Sequence, residues 1–212
     1  MKEINEVLPV VARLLRWVAA QPEIRNSACS AGEPAEEGIT IVDLCSGVGY
    51  MSMLLNELLA EEPRVARFVL VDNSFPLQGH RPKKHHINPD HLVVEGFWPK
   101  EMLYRRYDLK KSRGHKQLAE HVLSRCRGPV ALAGVHLCGV LSIRAVHIFN
   151  EQPRCSFLAL KPCCLPGFPF GWPSKRAWLL GGHTIDATAV CDSGKYNKGK
   201  WVGNTPKGSL GP

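Results

Sequence analysis

The chain has 212 residues, of which 44% are hydrophobic and 22% charged, a composition typical of a soluble globular protein with one sizeable core. No run approaches the ~20 apolar residues of a membrane span, so an integral membrane protein is excluded at this level. The net charge of +8 favours a polyanionic partner, although surface solubility accounts for such a charge equally well.

Apolar residues recur at helical spacing over residues 4–20, which predicts an amphipathic helix, and the polar residues 21–38 predict a loop. A β-branched run at 39–44 predicts a buried strand, followed by a glycine-containing turn and a helix at 51–60. Residues 68–72 predict a second buried strand. This order is typical of the opening of a doubly wound α/β sheet.

Residues 74–107 show no clear period, and we interpret most of this segment as a long insertion after the second strand, with a short strand at 92–94. The alternation then resumes as helix, strand, helix and strand at 116–126, 130–136, 141–150 and 156–161. Weaker strand signals follow at 178–180, 184–190 and 201–202.

We therefore predict one α/β domain with a Rossmann-like, doubly wound sheet. Its N-terminal helix and loop span residues 1–38, its core spans residues 39–167, and its C-terminal strands and loops span residues 168–212.

The eight cysteines lie mostly in or just after apolar runs. In such places a cysteine behaves as a small hydrophobic residue, and no secretory leader precedes these. We expect reduced thiols rather than a disulfide framework, and an intracellular protein, cytoplasmic or nuclear.

A glycine-containing loop, Asp-Leu-Cys-Ser-Gly-Val-Gly-Tyr at residues 43–50, follows the first strand and opens a helix. Gly47 and Gly49 allow a tight turn and close approach of a ligand to the backbone. Free N–H groups at the helix start favour an anionic group on that ligand. Any strand-to-helix turn could use two such glycines, so the loop alone is weak evidence.

Asp72 ends the second strand, where an acidic side chain can accept both hydroxyls of a ribose. Loop and acid together indicate an adenosine-containing cofactor, against the alternative of an ordinary turn with a surface aspartate. Asp43 precedes the glycines, and an acid there suits the ammonium of a methionine better than a pyrophosphate. The pattern thus favours S-adenosylmethionine over a nicotinamide dinucleotide.

With these residues the sequence resembles class I methyltransferases, whose first motif is acid-x-Gly-x-Gly-x-Gly. Asp43, Gly47 and Gly49 match it, and Cys45 replaces the first glycine. The resemblance also implies that Tyr107-Asp-Leu is the third-strand motif, with its acid near the adenine. The cofactor-binding residues predicted in this way are Asp43, Cys45, Gly47, Gly49, Tyr50, Asp72, Asn73, Asp108, Leu109 and His136.

Two later segments narrow the resemblance: Val-His-Leu-Cys-Gly at 135–139 and Lys-Pro-Cys-Cys at 161–164. They are similar to the catalytic domain of eukaryotic tRNA 2′-O-methyltransferases that modify the acceptor stem, and of related methyltransferase-like proteins. That group commonly has histidines after the cysteine pair, where this chain has Leu165 and Pro166. The resemblance covers about residues 39–167 and implies a tRNA substrate with a ribose hydroxyl as acceptor.

His136 and Lys161 are the predicted catalytic residues, because both follow adjacent parallel strands where such sheets form their ligand crevice. His136 could orient or deprotonate a hydroxyl, and Lys161 could act as base or hold a phosphate. A non-functional interpretation is equally good for each residue: His136 would pack at the strand end, and Lys161 would be a solvated lysine. Zinc on His136, Cys138, Cys163 and Cys164 is disfavoured by the spacing, and we expect no metal.

Two basic stretches contain the side-chain types that contact phosphates and stack on bases, although solvated loops explain them as well. They comprise Arg81, Lys83, Lys84, His85 and His86, and Lys195, Tyr196, Lys198, Lys200 and Trp201. Residues 168–172 could form a wall of the substrate pocket or an edge of the sheet.

We expect an S-adenosylmethionine-dependent methyltransferase that acts on RNA, with tRNA favoured and no DNA or membrane partner. A methyltransferase of proteins or small molecules and a non-catalytic cofactor-binding module stay open, and a nicotinamide-dependent oxidoreductase ranks last. A partner subunit could supply substrate recognition.

Overall fold

A computed structural model describes residues 2–22, 38–137, 139–162, 177–180, 183–186, 195–197 and 200–202. Its centre is a five-stranded, fully parallel sheet with the strand order β3-β2-β1-β4-β5. The strands are β1 (Ile39–Leu44), β2 (Val65–Val71), β3 (Glu101–Arg105), β4 (Val130–Val135) and β5 (Cys155–Lys161). The helices are α1 (Lys2–Ala19), α2 (Tyr50–Leu58), α3 (Ser112–His121) and α4 (Val140–Glu151), with a 3₁₀ turn at Leu123–Arg125.

Both faces of the sheet are covered, which confirms the predicted doubly wound α/β class. Alternate residues of β1 face opposite sides, so Ile41 packs with α1 and α2 while Val42 packs with α3 and α4. Strands buried on both faces are near-continuous apolar runs. All residues of β1 and β4 are accordingly buried.

β1 lies at the centre of the sheet, between β2 and β4. The strands β2 and β3 are added on one side of β1, and the strands β4 and β5 are added on the other side. Asp43 pairs in register with Leu70 of β2 and Ala133 of β4. The carboxyl ends of these three strands therefore meet at one edge. In open α/β sheets, ligands bind outside the carboxyl ends of the strands at the point where the strand order reverses in this way.

The predicted short strand at residues 92–94 is wrong. Leu92 is buried while Val93 and Val94 are about half exposed, and the segment forms turns. The third strand is β3 instead, inside the region predicted as insertion. Only Met102 of β3 is fully buried, so this edge strand offers no apolar run to recognise.

Residues 72–100, which connect β2 to β3, contain neither helix nor strand, and this agrees with the predicted long insertion. The segment still contributes to the core, because Phe75 and Leu92 are buried in the same cluster as α1 and α2. Buried Asn56 of α2 holds its far end: Asn56 Nδ2 donates to the Lys100 carbonyl and the Lys100 amide donates to Asn56 Oδ1, each at 2.9 Å.

Among the described residues of the C-terminal part, four short strands form two antiparallel two-stranded sheets. They are β6 (Ala177–Leu180), β7 (His183–Asp186), β8 (Lys195–Asn197) and β9 (Lys200–Val202). The predicted strands at 178–180, at the start of 184–190 and at 201–202 coincide with β6, β7 and β9, whereas β8 was not predicted. Most of the predicted loop at 21–38 lies outside the described residues. In the described part of the chain, no helix is both long and apolar enough to cross a membrane.

Candidate functional site

The loop between β1 and α2 has three residues with positive φ: Cys45 at 55°, Gly47 at 57° and Gly49 at 90°. The Gly49 amide donates to the Ser46 carbonyl at 3.0 Å and closes the turn. A Cβ on Gly49 would lie 2.5 Å from Leu70 Cδ2, whereas a Cβ on Gly47 would meet nothing within 4 Å. Gly49 therefore packs against the core, and Gly47 faces open space where a ligand can approach.

Asp72, directly after β2, joins this loop to the next segment of the chain. Its Oδ2 accepts the Gly47 amide at 3.1 Å and its Oδ1 accepts the Ser74 amide at 2.8 Å. A carboxylate has about four lone-pair sites, so it keeps room for further hydrogen-bond donors. The predicted ribose-binding acid thus lies beside the glycine that faces open space.

Asp43 is buried at the end of β1, and Ser52 Oγ of α2 donates to its Oδ2 at 2.8 Å. Burial raises the pKa of Asp43 from 3.8 to about 7, partly opposed by the Ser52 hydrogen bond and reinforced by the charge of Asp72. At pH 7 Asp43 is therefore only about half ionised, which weakens its attraction for a cationic group.

Cys45 and Ser46 lie between the two acids. Burial, followed by the charges of Asp72 and Asp43, raises the pKa of the Cys45 thiol to about 12, so this cysteine is a neutral lining residue and no nucleophile. Ser46 Oγ is buried and has no hydrogen-bond partner within the described residues. A buried hydroxyl without a partner is costly and is suited to meet a polar ligand atom.

Tyr50 and Asn73, which the resemblance adds to the cofactor contacts, are both exposed. Tyr50 is the first residue of α2, with half of its surface accessible. Asn73 follows Asp72, and its Oδ1 accepts the Ser74 hydroxyl at 3.2 Å. Both side chains border the loop and Asp72.

Asp108 and Leu109 follow β3 at the same edge of the sheet. Asp108 Oδ1 accepts the Lys110 amide at 3.0 Å, and its Oδ2 lies 3.5 Å from Lys111 Nζ. Leu109 is buried in the core cluster of α3 and α4, and its carbonyl accepts a hydrogen bond from His115 at 2.8 Å. Of the two, Asp108 offers a polar side chain to the edge, whereas the Leu109 side chain belongs to the core.

His136 follows β4 with a φ of 64°, and Cys45 is the other non-glycine residue with positive φ in the described chain. Leu137 causes this turn: it is fully buried and folds back onto β4, where a Cβ on Gly134 would lie 2.3 Å from Leu137 Cδ1. The His136 amide donates to the Lys161 carbonyl at 2.9 Å. Strained backbone at two adjacent strand ends is typical of a functional edge.

The structure brings His136 and Lys161 together through Glu6 of α1. His136 Nε2 lies 2.7 Å from Glu6 Oε2, and Lys161 Nζ donates to the Glu6 carbonyl at 2.8 Å. Neither Glu6 nor Ser52 was predicted as a site residue. Nothing near Glu6 or Ser52 in the sequence marks them, because each meets its partner only through the fold.

Several residues that the sequence analysis considered for the site lie outside the described part of the chain. They are Cys138, Cys163, Cys164 and the aromatic segment 168–172. The zinc grouping considered from the sequence depends on three of them.

The basic stretch 81–86 lies in a loop whose two ends meet next to Asp72. The Ile87 amide donates to the Ser74 carbonyl at 2.8 Å, so the intervening loop begins and ends next to the residue that binds Asp72 Oδ1. Arg81, Lys83, Lys84 and His85 are exposed on it. The insertion also touches the glycine loop, since His91 Nε2 donates to the Val48 carbonyl at 2.8 Å.

A sequence profile described as a methyltransferase domain matches residues 1–167, which include α1, all five strands of the sheet and the edge described above. The chain belongs to this methyltransferase family. Comparisons with curated proteins and with solved structures give no match. The family and the strand order agree with the expected class I methyltransferase type of Rossmann-like fold.

Proposed function

We propose that this methyltransferase uses S-adenosylmethionine to methylate RNA, with a ribose 2′-hydroxyl of tRNA as the acceptor. The observation that carries the proposal is the convergence of the glycine loop, Asp72, His136 and Lys161 at one edge of a methyltransferase-family sheet. The cofactor and the acceptor are separate steps of this proposal and have separate tests.

The residues at the edge fit the cofactor. Gly47 leaves open space in front of the loop, and Asp72 lies beside it with lone pairs for ribose hydroxyls. The unpartnered Ser46 hydroxyl gives a further polar contact. Asp72, with a smaller contribution from the partly ionised Asp43, attracts the cationic ammonium and sulfonium of S-adenosylmethionine.

S-adenosylmethionine supplies a methyl carbon on a positively charged sulfur. The chain's own residues align the acceptor and remove its proton. In our proposal the imidazole of His136 takes the proton of the attacking hydroxyl. Lys161 uses one of its three N–H groups on the Glu6 carbonyl, and the remaining ones can hold a phosphate or the acceptor oxygen.

RNA is favoured as acceptor by the exposed basic loop beside Asp72. Lys and Arg side chains there neutralise phosphates, and this is the main term in nucleic-acid affinity. Exposed Arg106 follows the carboxyl end of β3. The pKa of His86 is lowered most by desolvation, then by the charge of His85, and then by the charge of Arg106. The basic surface is thus formed by two segments at one edge.

The cofactor step is tested by calorimetric titration with S-adenosylmethionine. Asp72→Asn removes the charge and half of the acceptor capacity, and we expect at least a tenfold weaker Kd. The matched control is Asp90→Asn, an exposed aspartate of the insertion whose hydrogen bonds among the described residues are to Asn88 in its own turn. Equal affinities of wild type and Asp72→Asn would contradict the proposed cofactor site.

The acceptor step is tested with labelled S-adenosylmethionine and total RNA, protein or metabolites, followed by nucleoside analysis for 2′-O-methylation. RNA affinity is then measured against salt. Lys83→Ala with Lys84→Ala should lower the logarithmic salt slope by about 1–2. Arg13→Ala with Arg16→Ala is the control, because the C-terminal end of α1 lies at the opposite edge, where Arg64 binds the Ala19 carbonyl. Label in protein or metabolites alone would reject RNA as substrate.

A further inference from the structure

We propose that Glu6 of α1 is a positioning residue that fixes the tautomer and orientation of His136, and that α1 is therefore part of the active site. This inference rests on the proposed function, in which His136 accepts the proton of the acceptor hydroxyl. It extends the site to a helix that precedes the first strand of the sheet.

The contact itself sets the tautomer. A carboxylate oxygen accepts hydrogen bonds only, so at 2.7 Å from Glu6 Oε2 the His136 Nε2 atom must carry the proton. In the neutral imidazole the other nitrogen, Nδ1, then has the free lone pair. Glu6 thereby leaves His136 with Nδ1 as the atom able to accept a proton, and stabilises the imidazolium once it has done so.

His136 needs such a partner because its surroundings constrain it weakly. Half of its side chain is exposed, and its backbone is turned by the left-handed φ of 64° and by the bond of its amide to Lys161. An exposed imidazole otherwise samples several rotamers. The Glu6 carboxylate selects one of them.

Glu6 can do this because α1 is held firmly at both ends. Val10, Val11, Leu14 and Val18 are buried against the sheet. At the C-terminal end, Arg64 donates to the carbonyls of Ala19 at 3.2 Å and Gln21 at 2.8 Å. At the N-terminal end, Lys161 donates to the Glu6 carbonyl. One residue of a fixed helix thus contacts both predicted catalytic side chains.

The contact between Glu6 and His136 contributes little to the stability of the fold. An ion pair with a half-exposed partner contributes ~0–1 kcal/mol, so Glu6→Ala and Glu6→Gln should fold normally. This makes the role testable by measurements that are independent of stability.

The first measurement is ¹⁵N–¹H NMR of the ligand-free protein, with the His136 resonances assigned through His136→Gln. We expect a hydrogen-bonded Nε2 proton in the wild type that Glu6→Ala loses and Glu6→Gln, which retains an acceptor oxygen, keeps in part. The control is Glu57→Gln, an exposed acid of α2, which should leave the signal unchanged.

The second measurement is kcat on total RNA, together with the Kd for S-adenosylmethionine. We expect Glu6→Ala to lower kcat about tenfold, a part of the 10²–10⁴ that a general base contributes, with the Kd unchanged and Glu6→Gln in between. In a His136→Gln background, Glu6→Ala should cause no further loss.

The outcomes separate the two proposals. A wild type that binds no S-adenosylmethionine, or labels no RNA, would overturn the proposed function. An unchanged kcat in Glu6→Ala, a loss explained by weaker cofactor binding, or a full additional loss in the His136→Gln background would overturn the positioning role alone.

Discussion

At the scale of single residues, Gly47 and Gly49 differ although only Val48 separates them. Both adopt positive φ, but a Cβ would reach into Leu70 and Leu92 at Gly49 and into open space at Gly47. Gly49 is therefore required for folding of the loop, whereas Gly47 is required for access to the crevice. The sequence motif does not distinguish these roles.

Substituting each glycine by alanine separates them. Gly47→Ala should cost about 1–2 kcal/mol for the left-handed backbone and weaken S-adenosylmethionine binding. Gly49→Ala should have the same backbone cost and should lower the stability by an additional ~1–3 kcal/mol, because its Cβ overpacks the core. Urea unfolding and calorimetric titration measure the two effects. Equal losses of stability would contradict this division.

The buried carboxyl of Asp43 predicts a pH dependence of stability. The unfolded chain releases this proton near pH 3.8, whereas the folded state holds it until about pH 7. The contribution of Asp43 is therefore most favourable below about pH 4 and is lost as the pH rises through about 7. In Asp43→Asn this dependence disappears.

Denaturant unfolding of the wild type and Asp43→Asn, both without ligand, tests this from about pH 5 to 8. The variant should gain stability relative to the wild type with rising pH, by at most about 3 kcal/mol between about pH 5 and 8. A difference that stays constant with pH would show that Asp43 is already ionised in the folded protein.

At the scale of elements, the connection 72–100 takes the place of a crossover helix. It fills the core with Phe75 and Leu92 and binds both the glycine loop, through His91, and α2, through Asn56. A segment without regular structure thus supports the cofactor loop and carries the basic residues. In the proposed function, one segment would therefore contribute to both the acceptor surface and the cofactor site.

The reciprocal bonds of Asn56 with Lys100 should hold this segment in place. Asn56→Ala leaves the partly buried amide and carbonyl of Lys100 without these partners and should cost about 1–3 kcal/mol. Hydrogen exchange should accelerate most over residues 89–100. Asn88→Ala, at an exposed asparagine of the same segment, should change stability by less than ~0.5 kcal/mol. Exchange that rises evenly through the protein would contradict the proposed docking.

At the scale of the whole molecule, cofactor binding and folding are linked by mass action. A ligand at a hundred times its Kd stabilises the folded state by about 2.7 kcal/mol, and in a chain of 212 residues this raises Tm by about 5–10 °C. S-adenosylmethionine should produce this shift in the wild type. Asp72→Asn should show a much smaller shift at the same concentration in a thermal scan, and a shift of equal size would contradict the role of Asp72.

Local patterns in the sequence determined the fold class and the cofactor half of the candidate site. The strands β1, β2 and β4 are largely buried apolar runs, β5 is an apolar run over residues 157–160, and Asp43, Gly47, Gly49 and Asp72 stand at predictable strand ends. Such features depend on neighbours in the chain and can be recognised without coordinates. β3 could not be recognised, since it has only three apolar residues in a row, at 102–104, between charged residues.

Only the tertiary structure decided which residues meet across the molecule. Glu6 contacts His136 and Lys161, which follow it in the sequence by 130 and 155 residues. Ser52 of α2 donates to Asp43 of β1, and Asn56 of α2 holds Lys100. Each of these contacts is a hydrogen bond between groups distant in sequence, and no local period encodes it. The Glu6 contacts arise because the parallel sheet gathers its strand ends at one edge and α1, which packs on one face of the sheet, has its N-terminal part at that edge.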